Sequence, residues 1–166
     1  MKNIKRHSIG YTLIEVMISV AIIGVIASTA PNLIIQLRRF FQLSNTKLEI
    51  QREARSVMNL VTRNLRQAQS STIVIDQASA AEPYYSRISY TDVNGNYLRF
   101  YQEGRNLKLV DVSTRTIASN IRYIAFSLPR TDDMGIVSVS FTLEKGTYES
   151  KTKALHMASE KVQVMN

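Results

Sequence analysis

Cysteine is absent from the 166 residues, which removes disulfides, thiol nucleophiles, cysteine-based metal cages and cysteine-linked lipid anchors together. Glycine is sparse, and its six positions are scattered without the spacing that cradles a phosphate. Only His7 and His156 could supply an imidazole. His156 has no paired base, nucleophile or metal-ligand spacing around it and is expected to be a surface or strand residue. Hydrolytic or transfer chemistry needs convergent acid, base and nucleophile, so no enzyme, catalytic residue, bound cofactor or small-molecule substrate is expected. Acidic residues are also in the minority, at 13 against 21 basic ones. Three of the basic residues, Lys2, Lys5 and Arg6, precede Gly10, and without them the excess is five, a mild signal for nucleic acid or anionic lipid.

Charge is missing altogether from residues 16–37. A helix of that length spans roughly 33 Å, enough to cross the hydrocarbon core of a bilayer. Lys2, Lys5 and Arg6 on its N-terminal side favour a cytoplasmic N-terminus and an extracytoplasmic head, although Arg38 and Arg39 flank the other end. Ser28-Thr29-Ala30 has the small-x-small look of a signal-peptide cleavage site. Against cleavage there stand the length of the run, the carboxylate of Glu15, and Pro31, which has a fixed φ and no N–H at the first position after the cut.

Glu15 is the anomaly of this segment. An ionised carboxylate at bilayer depth costs on the order of 2.5–3.5 kcal/mol on insertion scales and calls for a partner or a function. One reading leaves it wet at the cytoplasmic interface. The other starts from Gly10: a cut after it removes every leader charge and creates an α-amine on Tyr11, four residues before Glu15, where ammonium and carboxylate can pair within a chain or between neighbours.

The stretch KRHSIGYTLIEVMISVAIIGVIASTAP resembles the class III signal segment of type IV pilins and type II secretion pseudopilins. It has the basic leader, the glycine before the cut, an aromatic first mature residue, Thr-Leu, and Glu four places later. The resemblance implies that a prepilin peptidase/methyltransferase cuts between Gly10 and Tyr11 and methylates the new N-terminus, with Glu15 aiding docking onto a growing filament. Tyr11 departs from the family's usual phenylalanine while keeping a ring. The segment MNLVTRNLRQAQ and the ending EKVQVMN are similar to J-type minor pseudopilins and W-type minor pilins, and the lack of cysteine departs from many pilin heads in the same direction.

Gly24 and Pro31 are weak points of the helix. Proline in a helix interior costs about 3 kcal/mol, and glycine about 1 kcal/mol against alanine. Filaments of the resembled family can lose helical order in this region, which makes residues 24–31 a melting zone; the other reading is a kink whose freed carbonyls find new partners. Beyond Pro31 the pattern becomes one-sided. Leu33, Leu37, Phe40, Leu48, Ala54, Met58, Val61, Leu65 and Ala68 are expected to form a single helical stripe, with arginines and Lys47 on other faces. The arginines of residues 51–69 read as a solvated face ahead of a nucleic-acid helix.

The remainder reads as strands, over 72–75, 87–91, 97–102, 107–112, 123–128, 136–143 and 161–164, with hairpins at Asn94-Gly95 and at 103–106. Val137, Val139, Phe141 and Leu143 alternate with serine and threonine, as a half-buried antiparallel strand requires. Residues 77–83 and 129–135 are loops. Asp92, Asn94, Asn96 and Glu103 have calcium-loop spacing, but Tyr97 stands where that loop needs glycine and Phe100 fills a ligand position, so a hairpin turn is expected there. Asp132-Asp133 beside Gly135 is a second calcium candidate, again read first as a solvated turn. No metal site is expected from the residues.

The expected architecture is α+β and pilin-like: a cleaved leader at 1–10, a transmembrane and filament-core helix at 11–35, an amphipathic helical half at 36–70, and a β-rich head at 71–166. The expected function is that of a minor pilin or pseudopilin, partnered by the peptidase, by other subunits and by the cytoplasmic membrane before extraction into a filament. Two other readings stay open. One is a permanently anchored single-pass protein with a β head. The other is a DNA-binding tip subunit using Lys108, Arg115, Arg122, Lys151 and Lys153.

Overall fold

The computed structural model describes residues 10–130, 133–147 and 152–164. A single helix, α1 (Leu13–Leu65), leads into a 3₁₀ turn at Ser70–Thr72 and eight strands: β1 (Val74–Asp76), β2 (Arg87–Thr91), β3 (Tyr97–Glu103), β4 (Asn106–Val110), β5 (Thr114–Ala118), β6 (Ile121–Ser127), β7 (Ile136–Gly146) and β8 (Lys153–Gln163). The chain divides into two compact units, residues 1–41 and 42–166.

In the first unit the described residues are helical from Leu13 onward, and none of the most apolar 18-residue window of α1 is buried. Tyr11 is 84% exposed, and the aliphatic side chains from Leu13 to Leu37 stand open in the same way. A helix apolar on every side, with nothing over it, belongs in lipid or among other helices. It runs through Pro31 without a break. Proline supplies no N–H to the carbonyl of Ala27. Nearby hydroxyls turn inward onto the same turns, Ser28 Oγ donating to Val25 O at 2.8 Å and Thr29 Oγ1 to Ile26 O at 3.1 Å.

The second unit is built around the end of α1. Ile50, Ala54, Val57, Met58, Val61, Thr62 and Leu65 are buried, at steps of three and four that make one stripe. The expected stripe is thereby corrected at its start: Leu33, Leu37, Phe40 and Leu48 are exposed, because they precede or lie off the helix face that packs on the core, which starts with the half-buried Leu43 and is fully buried from Ile50. Two antiparallel sheets complete the core, a five-stranded meander in the order β1-β2-β3-β4-β5 and a three-stranded sheet β6-β7-β8. Val137, Val139, Phe141 and Leu143 are all buried, as their alternation predicts, and join Ile88, Phe100, Leu107, Ile124 and Phe126.

The sheets are joined through polar groups as well as apolar ones. Gln102, 3% exposed on β3, accepts from Ile124 N–H on β6 through Oε1 at 3.0 Å, while its Nε2 donates to Gly104 O at 2.8 Å and Arg122 O at 3.3 Å. Phe126 N–H donates to Tyr85 O at 2.9 Å. Tyr85 sits at φ +64°, a left-handed conformation unfavourable for a bulky residue, and that strain accompanies the bond to β6. Two strands depart from expectation: β5 has no counterpart among the expected strands, and β8 is eleven residues long where the pattern predicts only 161–164.

Candidate functional site

Gly10, Tyr11 and Thr12 precede the first helical residue, Leu13. Thr12 is the residue from which the helix hangs. Its carbonyl accepts from Glu15 N–H at 3.1 Å and Val16 N–H at 3.2 Å. Its hydroxyl accepts from Glu15 N–H at 3.4 Å, and its own N–H donates back to Glu15 Oε2 at 3.4 Å. The Thr12 hydroxyl also lies 3.5 Å from the same Oε2. These are long bonds, but their reciprocity is that of a capping box, in which threonine at the N-cap and glutamate three residues later satisfy each other's orphan donors. The carboxylate also lies at the positive end of the helix dipole. Glu15 Oε1 makes no hydrogen bond among the described residues.

Thr12 is a site residue that sequence reasoning missed, although its signal is present as Thr-x-x-Glu ahead of an apolar run. The structure brings Tyr11, Thr12 and Glu15 to one helical start. Gly24 and Pro31 lie farther along α1, and a Cβ placed on Gly24 would meet nothing within 4 Å. Leader residues 1–9 lie outside the described residues.

The first calcium candidate, at Asp92, lies in a hydrogen-bonded turn. Asp92 Oδ1 accepts from the N–H groups of Asn94 and Asn96, each at 2.8 Å, and Oδ2 from their side-chain amides at 3.4 and 3.1 Å. The hydrogen bonds from Asn96, backbone first, hold the Asp92 carboxyl below the usual aspartate range. Glu103 is at the far end of β3 and pairs with Lys108. Asp133 Oδ1 accepts from Gly135 N–H at 2.8 Å, and Asp132 lies outside the described residues. Among the described residues no three carboxylates or histidines converge on a metal position.

Several basic residues of the head are engaged with carboxylates. Lys108 pairs with Glu103 and Arg115 with Asp111. The Glu144 side chain, 8% exposed, gathers three cations, Lys153 at 2.7 Å, Arg122 at 3.2 Å and Arg105 at 3.9 Å. The Lys153 hydrogen bond is the largest influence pulling the Glu144 carboxyl below its ordinary value, against the desolvation that raises it. Lys151 lies outside the described residues. His156 is a half-buried strand residue of β8.

A family model described as the prokaryotic N-terminal methylation motif matches residues 5–31. No curated protein and no solved structure matches the chain. The matched segment covers the candidate processing and capping residues, and beyond it a long helix continues into antiparallel sheets. The layout is α+β and pilin-like, and the motif supports a type IV pilin-like protein. The motif carries with it processing by a prepilin peptidase, anchoring in a membrane and assembly with other pilin subunits.

Proposed function

We propose that this chain is a minor subunit of a type II secretion pseudopilus or a type IV pilus. Cleavage after Gly10 frees the amine of Tyr11, which is then methylated. Before assembly the protein crosses the cytoplasmic membrane once, with its N-terminus in the cytoplasm and its β head outside. Apolar packing of α1 supplies most of the association, and Glu15 of one subunit pairs with the Tyr11 amine of a neighbour to set register.

The observation that carries this reading is the coincidence of the matched motif at residues 5–31 with a helix whose apolar window is wholly uncovered. Such a surface suits lipid first and neighbouring helices afterwards. The test is the mass of the N-terminal peptide of the protein taken from its native membrane. A chain beginning at Tyr11 with one extra methylene is expected. A chain still carrying its leader, in cells with an active peptidase, would make the protein a permanent membrane anchor. The DNA-binding reading gains no support from the head, since Lys108, Arg115, Arg122 and Lys153 each face a carboxylate of their own chain.

A further inference from the structure

The two edges of the three-stranded sheet are treated differently. The β6 edge is covered: Ile121, Ile124 and Phe126 donate their outward N–H groups to Arg105 O at 2.9 Å, Gln102 Oε1 at 3.0 Å and Tyr85 O at 2.9 Å. The β8 edge is bare. Thr147 N–H donates to Thr152 O and Val164 N–H to Gly135 O, both at 2.8 Å, and these bonds fix the phase of the β7–β8 ladder. Even-numbered residues of β8 turn their backbone groups toward β7, and odd-numbered ones turn theirs outward. Leu155, Met157, Ser159 and Lys161 therefore present N–H and C=O groups along a free edge, with no partner for them among the described residues.

This edge also lacks the usual protection. Proteins blunt exposed edges with short strands, bulges, prolines or central charges. The outermost strands of the other sheet conform to that practice: β1 has three residues, and β5 has five and pairs through a bulge. By contrast β8 pairs with β7 in unbroken register over eleven positions and contains no proline. Leu155 and Met157 at its centre are 52% and 73% exposed, and its charges, Lys153, Glu160 and Lys161, lie near the ends. Beside it lies a groove of about 390 Å³ between α1 and β8, lined by Arg55, Met58, Asn59, His156 and Glu160 among others.

We infer that β8 is a docking strand which adds an extended, acidic and apolar segment of a non-identical filament subunit to the edge of the sheet. The inference rests on the filament reading for its partner, and its chemistry comes from the edge. Unpaired, regularly spaced donors and acceptors select an extended backbone. Leu155 and Met157 select apolar side chains on the outer face, and Lys161 and Arg55 outnumber Glu160 and select carboxylates, Lys153 being held by Glu144. A second copy fits poorly. The two-fold antiparallel register that overlaps β8 fully is centred on Ala158 and sets Lys153 of each chain against Gln163 and Lys161 against Leu155 of the other, which gives Lys161 no carboxylate to pair with.

The test uses the full chain in detergent micelles, with a short capped peptide of alternating valine and threonine bearing glutamate near each end, and a second peptide with lysine in place of glutamate. Backbone amide exchange at Leu155, Met157, Ser159 and Lys161 is expected to slow about tenfold or more with the glutamate peptide alone. Met157→Pro removes an outward N–H without breaking a bond to β7 and should abolish the protection. Met157→Glu, which leaves the backbone intact, should abolish it by charge. Unchanged exchange, equal protection by both peptides, or protection that persists in both variants overturns the proposal. So does protection without peptide that grows with protein concentration, accompanied by disulfide dimers of Met157→Cys in a chain with no other cysteine. Because none of these readouts depends on the N-terminus, failure here leaves the processing test of the filament reading untouched.

Discussion

Ile124 N–H on β6 donates to the side-chain oxygen of Gln102 on β3, so one glutamine amide stands where a neighbouring strand would otherwise be. The same amide nitrogen serves Gly104 O and Arg122 O. Gln102→Leu keeps the approximate volume but leaves one N–H of a buried residue unpaired and two carbonyls without this donor. It is expected to destabilise the head by about 2–3 kcal/mol, read as a lower urea midpoint at unchanged slope. Stability equal to that of the parent would mean that the two sheets are held by apolar packing alone.

Glu144 makes the head sensitive to acid. Its carboxyl pKa is depressed in the folded chain, chiefly by Lys153, so folding binds fewer protons there than the unfolded chain does. The resulting stability is full above the unfolded value of about 4.3 and is lost as pH falls through the depressed folded value. Glu144→Gln is expected to be less stable at neutral pH and to flatten the decline in melting temperature below about pH 4.3. A parallel decline in both proteins would assign the acid sensitivity to other carboxylates.

Replacing the weak points of α1 should stiffen it. Gly24→Ala and Pro31→Ala favour the helix by about 1 and 3 kcal/mol, and the open space around Gly24 accepts the added methyl group. We expect processing to proceed in both variants and amide exchange over residues 24–31 in assembled filaments to become slower. Equal exchange in parent and variants would leave Gly24 and Pro31 as a tolerated kink.

A strand is legible in sequence to the extent that burial writes itself into its side chains. On β7 every second residue is a large apolar one, and that alternation places the strand. On β8 the inward positions are Ala154, His156, Ala158, Glu160 and Val162, small or polar residues beside α1, while the large apolar Leu155 and Met157 face outward. Its alternation is thus inverted at the centre, which hides all but its end. The strand β5, with the pattern Thr-Arg-Thr-Ile-Ala, is exposed over its first three positions and leaves no periodic trace. The helical stripe reads too far upstream because Leu33, Leu37 and Phe40 have suitable spacing, and spacing alone does not reveal where a head begins to cover a helix. Gly10, Tyr11 and Glu15 are legible through their fixed intervals, whereas Thr12 emerges only when its hydroxyl, its N–H and the Glu15 carboxylate are seen to close a ring.

That ring separates two roles of Glu15 that a single substitution would confuse. If Glu15 acts only by capping α1, removing Thr12's hydroxyl should matter about as much as removing the carboxylate. If it also pairs with a neighbour's amine, the carboxylate should matter more. Thr12→Ala loses the N-cap side chain, worth about 1 kcal/mol of helix stability, and Thr12→Ser restores it. Glu15→Ala and Glu15→Leu lose the cap's return bond and the charge together, while Glu15→Gln keeps the return bond and loses only the charge. All are expected to be cut after Gly10. Filament incorporation, measured as the fraction of cleaved subunit recovered in sheared filaments, should fall modestly in Thr12→Ala, recover in Thr12→Ser, and fall at least tenfold in Glu15→Ala, Glu15→Leu and Glu15→Gln, the tenfold loss corresponding to about 1.4 kcal/mol of docking free energy. Normal incorporation of Glu15→Gln would reduce Glu15 to a helix cap, and normal incorporation of Glu15→Ala and Glu15→Leu as well would remove it from assembly altogether.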